Sequence, residues 1–314
     1  MMNEPTVSVH IVTYNSSTDI EECLRAVQRQ TYPIETVVIV DNASVDGTLD
    51  KIRSFQETSP VPIKLITQEQ NIGFAPAHNL AIQHTTSNYA LILNPDVTLD
   101  PNYIKQIILT MESKNSIGSA TGKLLLKSDP KICDSTGLVL NASRRAFDRG
   151  AGEPAELWRN SGEVFGVSGA AALYSRKFIN HISIEEEFFD SSFFAYKEDV
   201  DVAWRGQLLG WKAHYDSDAI AYHERGWKKG GRSQQPLFIR RASYINRYKM
   251  IIKNDSIQGI CKSFFKMIPY ELASHAYFLL REPRVLGAWK TLWSERRELR
   301  HKRNMIRLKS NPHE

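Results

Sequence analysis

Cysteine is scarce in this chain of 314 residues: Cys23, Cys133 and Cys261 are the only three, widely spaced and without a ligand rhythm. This excludes a disulfide framework and a cysteine-based zinc site, and it fits a reducing compartment. Long apolar runs are missing too. The best stretch, Met267 to Leu280, falls short of the roughly 20 residues a spanning helix needs and is interrupted by Glu271 and His275. No basic-then-apolar leader precedes the first strand-like segment, which follows directly on Met1-Met2-Asn3-Glu4-Pro5. The expectation is a cytoplasmic protein. Repeats and low-complexity tracts are absent, and 42% hydrophobic with 24% charged residues is a globular composition rather than a disordered or fibrous one.

Acidic residues are short at one end only. Residues 1–224 hold 19 Lys+Arg against 29 Asp+Glu, whereas residues 225–314 hold 21 against 6, an asymmetry hidden in the net charge of +5. The chain therefore reads as a domain over residues 1–225 and a basic, mostly helical extension over 226–314, in which Trp, Tyr and Leu are interleaved with the cations. That interleaving suits an anionic membrane surface. It equally suits a solvated helical appendage or an oligomerisation element, and the charge would also suit nucleic acid, but no nucleic-acid-binding motif accompanies it.

The first part has a regular rhythm. Val7 to Val12, Thr36 to Val40, Ile63 to Ile66 and Tyr89 to Leu93 are short apolar, β-rich runs. Near-continuous apolar character is expected of strands covered on both faces in a parallel sheet. Helical patterns lie between them over roughly 18–30, after Asp46-Gly47-Thr48, and over Ala75 to Gln83. This is a doubly wound α/β plan, whose ligands lie beyond the carboxyl ends of the strands. Tyr14-Asn15, Asp41, Asn71 and Asp96 each follow such an end, so they are expected to converge on one crevice. Further on, Asn141 to Glu156 reads as a mobile connection. In Val164 to Tyr174, small residues mark a backbone passing close to a neighbouring element or to a substrate.

Tyr196-Lys197-Glu198-Asp199-Val200-Asp201 places three carboxylates within four positions at a helix start. Helix capping and the dipole explain one or two of them; a general base facing a pocket is the functional alternative. Asp201 and Arg205 are spaced as a weak surface pair. Asp96, in Asn94-Pro95-Asp96, is either a turn aspartate or a ligand for a hard divalent cation. His223, at the end of a final strand from Tyr215 to Tyr222, is either a satisfied histidine or a metal ligand on the same crevice.

Taken in order, Val12-Thr13-Tyr14-Asn15, Asp41 to Thr48, Asn71-Ile72-Gly73-Phe74 with Asn79, Leu93-Asn94-Pro95-Asp96, and Phe193 to Asp201 with Arg205 resemble glycosyltransferase family 2, and within it the rhamnosyltransferase-like branch. The resemblance covers about residues 6–225 and rests on the ordered set rather than on one motif. It implies a GT-A fold, a Rossmann-like mixed sheet with helices on both faces, and inverting transfer of a sugar from a nucleoside diphosphate to an acceptor hydroxyl. The leading donor is dTDP-rhamnose. By the resemblance, Asp41 and Thr13-Tyr14-Asn15 hold the base and ribose, and Asn71, Phe74, Asn79 and Asn94 line the donor pocket, Phe74 by contact or by packing beneath it. Asp96 and His223 hold Mg2+ or Mn2+, Asp199 is the base and Glu198 faces the acceptor. The first acid of the family's Asp-x-Asp motif is Asn94 here, which puts more weight on His223. The implied acceptor is a glycan or a polyprenol-linked glycan in cell-surface polysaccharide assembly, at the inner face of the cell membrane, with oligomerisation an open option. The rivals are a sugar-1-phosphate nucleotidyltransferase, which needs a Gly-rich basic loop where this chain has Thr13 to Ser17, and a catalytically silent nucleotide-sugar-binding or membrane scaffold.

Overall fold

The computed structural model describes residues 4–224 and 234–310. The basic loop Trp227 to Ser233 lies outside the described residues. The elements, in order, are β1 (Val7–Thr13), α1 (Ile20–Gln28), β2 (Thr36–Asp41), α2 (Thr48–Thr58), β3 (Ile63–Thr67), α3 (Phe74–Gln83), β4 (Tyr89–Leu93), β5 (Val97–Leu99), α4 (Tyr103–Glu112), β6 (Ile117–Leu126) and β7 (Asp129–Ser135). There follow β8 (Leu138–Leu140), β9 (Ala146–Asp148), β10 (Gly162–Val164), β11 (Ala171–Ser175), α5 (Arg176–Ile182), α6 (Glu198–Leu208), β12 (Lys212–His223), α7 (Leu237–Asn254), α8 (Ile257–Arg281) and α9 (Ala288–Ser310).

The main sheet runs β10-β12-β6-β11-β4-β1-β2-β3, with β5 on β12 and β7 on β6. Strands β3, β2, β1 and β4 are mutually parallel, and β11 enters antiparallel between β4 and β6. The sheet is therefore mixed, and its first four strands deliver their following loops to one edge. Both faces are covered. Val7, Val9, Ile11, Val37, Ile39, Leu91 and Leu93 pack against α1, α2 and α4. Alternate residues face the other way: Val38 and Val40 meet Ala77 and Ala81 of α3, while Ala90 and Ile92 join Phe178 and Ile179 of α5. Burial on two sides is why these strands read as unbroken apolar runs.

Two connections differ from their sequence reading. Asn141 to Glu156 is not a free loop, because β8 and β9 form a hairpin whose turn is gripped from α7. Arg247 donates to the carbonyls of Ser143 and Arg144, and Arg144 pairs with Asp255 at 2.6 Å. The final strand also starts earlier than expected: β12 begins at Lys212, where Ala213 and His214 already pair with Ser119 and Ala120 of β6, and it ends at His223 as expected.

The C-terminal helices are built onto the first part. Met250 and Ile251 of α7 share an apolar cluster with Phe193, Val200 and Trp204. Beside it lies a buried ionic network. Lys253 Nζ donates to Asp190 at 2.6 Å and Asp201 at 2.8 Å, Lys302 of α9 reaches the other Asp190 oxygen at 2.8 Å, and Asn254 donates to Asp201 at 2.7 Å. Asp201–Arg205 is therefore not a surface pair: their side chains are 0% and 1% exposed. Arg205 spends its remaining donors on the carbonyls of Ile182 and Phe188. Part of the charge asymmetry in the sequence thus resolves inside the molecule, as basic residues of α7 and α9 neutralise acids presented by the α/β part. Burial acts to raise the Asp190 pKa, but the charges of Lys253 and Lys302 outweigh it and hold that carboxyl far below the ordinary range.

Candidate active site

A cleft of about 1240 Å³ opens at the edge where β4 ends, lined among others by Phe74, Asn94, Asp96, Gly169, Glu198, Asp199 and His223. Six of the residues singled out from the sequence therefore meet in one place. Each arrives by a different route. Asn94 and Asp96 leave β4, with the Asn94 N–H fixed to the Ala170 carbonyl at 2.8 Å. His223 ends β12, where its pairing with Val97 of β5 brings it beside the same turn.

Asp96 and His223 form one half of the site. His223 Nε2 lies 3.3 Å from Asp96 Oδ1, while Nδ1 is bonded to Asp134 at 2.8 Å. Burial acts to lower the His223 pKa, but the hydrogen bonds and charges of Asp134 and Asp96 outweigh it and raise it to about 9. A carboxylate behind one ring nitrogen fixes the ring and makes the other nitrogen a better metal donor. Asp96 Oδ1 is buried and lacks a well-directed hydrogen-bond donor. A buried carboxylate oxygen 3.3 Å from a positioned imidazole nitrogen is a donor pair suited to a divalent cation. Among the described residues no group of three or more His, Cys, Asp or Glu forms a complete protein cage. An ion here would therefore take most of its ligands from phosphate oxygens and water, as Mg2+ commonly does.

The start of α6 forms the other half. Asp199 accepts from the N–H groups of Val200 at 2.7 Å and Gly169 at 3.3 Å. Glu198 is 7% exposed, and its Oε2 has no hydrogen-bond partner. Burial raises the pKa of both carboxyls; Asp199's charge raises Glu198 further, and Lys197 opposes the shift in each. Glu198 thereby titrates at about 8 and holds a proton at neutral pH.

The backbone before these acids is strained and supported. Phe194, Tyr196 and Lys197 have φ of 59°, 72° and 74°. Asn246 of α7, 1% exposed, directs its side-chain amide at the carbonyls of Phe193, Ala195 and Tyr196 at 2.8 to 2.9 Å. On the opposite side, the Phe194 carbonyl accepts from the Phe74 N–H at 2.7 Å. Gly73, at φ 96°, is needed there, because a Cβ would come within 2.6 Å of that carbonyl. The Asn71-Ile72-Gly73-Phe74 loop thereby braces the segment that carries the acids.

The other expected residues do different things. Asp41 is fully buried and spends both oxygens on Thr13, at 2.8 Å, and on Ser44. In this arrangement it shapes the turn that follows β2. Asn15 joins the same turn by accepting from the Val45 N–H at 2.9 Å, and Tyr14 is 53% exposed beside it. Asn71 caps its own loop through the Gly73 N–H at 2.9 Å. Asn79 lies away from the cleft: it exchanges hydrogen bonds with the backbone of Phe189 and lines a separate cavity with Ile82 and Phe188. It pins α3 to the segment ahead of α6 and does not touch the donor space. Sequence reasoning missed Asp134 and Asp148. Asp148 adds a further carboxylate to the cleft from the end of β9. Neither sits in a recognisable motif; only the pairing of β7 with β6 and the β8–β9 hairpin bring them in.

The architecture is that of the GT-A glycosyltransferases. A mannosyltransferase from Pyrobaculum calidifontis, solved with GDP-Man and Mn2+, superposes with a TM-score of 0.56 at 20% identity, over 93% of this chain and 76% of that one. S. aureus TarS 1-349 in complex with UDP-GlcNAc gives 0.60 at 18% identity, over 90% of this chain and 79% of that one. In sequence, residues 8–128 match the model described as Glycosyl transferase family 2, a stretch that runs from within β1 to just past β6 and includes Asp96. The poly-beta-1,6-N-acetyl-D-glucosamine synthase of Staphylococcus epidermidis is 21% identical over 216 residues, 69% of this chain and 49% of the synthase. The chain thus spans about half the length of this curated relative.

Proposed function

We propose that the protein is an inverting glycosyltransferase that uses a divalent cation and a nucleoside-diphosphate sugar. The observation that carries this reading is the meeting, in one cleft, of the Asp96–His223 pair with the two coupled carboxyls at the start of α6. Among the described residues the cleft is lined by four acids, Asp96, Asp148, Glu198 and Asp199, and by no lysine or arginine. A bare diphosphate would be repelled by such walls. Asp96 and His223 would hold Mg2+ or Mn2+, which, when bound, supplies charge neutralisation to the leaving diphosphate.

The chain's own residues perform the rest. Asp199, oriented by the Gly169 and Val200 N–H groups, takes the proton of the acceptor hydroxyl. The acceptor oxygen forms its bond to the anomeric carbon as the bond to the β-phosphate oxygen breaks, and that electron pair leaves on the nucleoside diphosphate. In-line displacement inverts the centre and requires no covalent enzyme intermediate. Glu198, its pKa raised to about 8 by burial and by the charge of Asp199, stays protonated at neutral pH, so Asp199 is the carboxylate that serves as base.

The donor sugar is the finer part of the proposal. The sequence resemblance favours L-rhamnose from dTDP-rhamnose; UDP-GlcNAc, present in the TarS complex, is the other donor to test. The acceptor is a glycan or lipid-linked glycan of a cell-surface polysaccharide. Helix α8 suits a peripheral membrane contact at the cytoplasmic face: Ile257, Phe264, Phe265, Leu272 and Leu279 form an exposed stripe at helical spacing. No described helix is long and apolar enough to cross a membrane. The test is nucleoside diphosphate release from a panel of sugar nucleotides, with and without acceptor and chelator. Acceptor-dependent, chelator-sensitive release from one donor is expected; its absence across the panel contradicts the reading. Binding to anionic vesicles is expected to fall in Phe264→Ser/Phe265→Ser, and equal pelleting removes the membrane contact.

A further inference from the structure

A second cavity, of about 620 Å³, lies beside the cleft between the β8–β9 hairpin, α7 and α8. Ser243 lines both spaces, and Lys197, which immediately precedes Glu198, lines the second. Its walls are cationic and aromatic: Arg145, Lys197 and Arg247 with Tyr244, Tyr248, Tyr270 and Phe278. These cations are not equivalent. Arg247 is neutralised by Glu271 at 2.6 Å and spends its other donors on carbonyls. Arg145 and Lys197 have no carboxylate partner among the described residues.

The Arg145 guanidinium is held between the rings of Phe147 and Tyr270, each centroid 4.5 Å away. The two rings fix the guanidinium plane without consuming its N–H groups. Lys197 is fixed differently, by a left-handed backbone that Asn246 helps to hold. No carboxylate appears among the residues lining this cavity, although four line its neighbour. Two positioned cations without a direct ion-pair partner complement a dianion, and a planar guanidinium suits tetrahedral oxyanions.

We propose that this cavity binds a phosphoryl or pyrophosphoryl group. On the glycosyl-transfer reading, on which this assignment to the acceptor rests, that group belongs to the acceptor and sets the distance from its anion to the hydroxyl presented to Asp199. The acceptor would then be selected by two features at once, an anion in the second cavity and a hydroxyl in the first.

The experiment is calorimetric titration of the full chain with inorganic pyrophosphate in metal-free buffer, where the acidic cleft repels the anion and the second cavity does not. Saturable binding is expected, about tenfold weaker in Arg145→Gln and in Lys197→Asn. Asparagine is used at 197 because it tolerates positive φ. Lys105→Ala, which removes an exposed cation of α4, is expected to bind as the wild type does, and circular dichroism checks that each variant is folded. Unchanged affinity in folded Arg145→Gln and Lys197→Asn, or no saturable binding, overturns the site. Inorganic phosphate and glucuronate form two further arms: tighter binding of glucuronate than of pyrophosphate overturns the phosphoryl assignment. Acceptor-dependent nucleoside diphosphate release is measured separately. A chain that releases it but binds pyrophosphate independently of Arg145 and Lys197 loses only this site; one that binds pyrophosphate through them but releases nothing loses only the transferase reading.

Discussion

Replacing Lys253 with methionine tests whether the C-terminal helices belong to the catalytic body. The Nζ of Lys253 sits between Asp190 and Asp201, and all three side chains are at most 3% exposed. Methionine fills the stem volume but leaves Asp190 with Lys302 and the Ser192 N–H, and Asp201 with Arg205 and Asn254. Removing one partner of a buried ion pair costs about 3–5 kcal/mol, chiefly the penalty of the charge left behind. For a chain of this size that lowers Tm by roughly 5–8 °C. The loss has a definite pH dependence. A carboxyl whose folded pKa is depressed contributes stability above its unfolded pKa and loses it as pH falls through the folded value. Asp190 is such a group, so the gap between wild type and Lys253→Met is widest at neutral pH and narrows in acid, where the abandoned carboxylate takes up a proton. Thermal denaturation at several pH values reads both effects. A shift below about 1 kcal/mol at neutral pH, or a gap that widens in acid, refutes the buried network and with it the docking of α7 and α9 on α6.

Two further outcomes follow from the site. The raised carboxyl pair requires the acidic limb of kcat/KM to lie above the ordinary carboxylate range, with activity lost as pH falls. Asp148→Asn removes a negative charge that raises Asp199 and moves that limb to lower pH, which a pH–rate profile with a saturating donor reports. Asp134→Asn frees the His223 ring from its carboxylate and is expected to weaken Mn2+ affinity about 10–100-fold, read directly by the electron paramagnetic resonance of free Mn2+.

The first four strands are legible in sequence because a parallel sheet buried on two faces writes itself as short β-branched runs with polar stops. The same regularity brings Asn94, Asp96, Glu198, Asp199 and His223 into view, since each stands at an element end. What stays hidden is long-range and side-chain based. Lys253 and Lys302 look like part of a solvated basic helix until Asp190 is placed against them, 63 and 112 residues away. Asn246 gives no sign that it steadies three carbonyls ahead of the base. Asn79 and Asp41 have a legible residue type and position, but their hydrogen bonds to Phe189 and to Thr13 and Ser44 are visible only in the fold.

The most direct measurement compares wild type with Asp199→Asn for acceptor-dependent release of nucleoside diphosphate under saturating donor and Mn2+. Asparagine keeps the shape and, through its one accepting oxygen, one of the two backbone hydrogen bonds, but it cannot take the acceptor proton, so kcat is expected to fall by about 10²–10⁴ while donor binding is retained. Full activity in Asp199→Asn would contradict the assignment of the base at the start of α6.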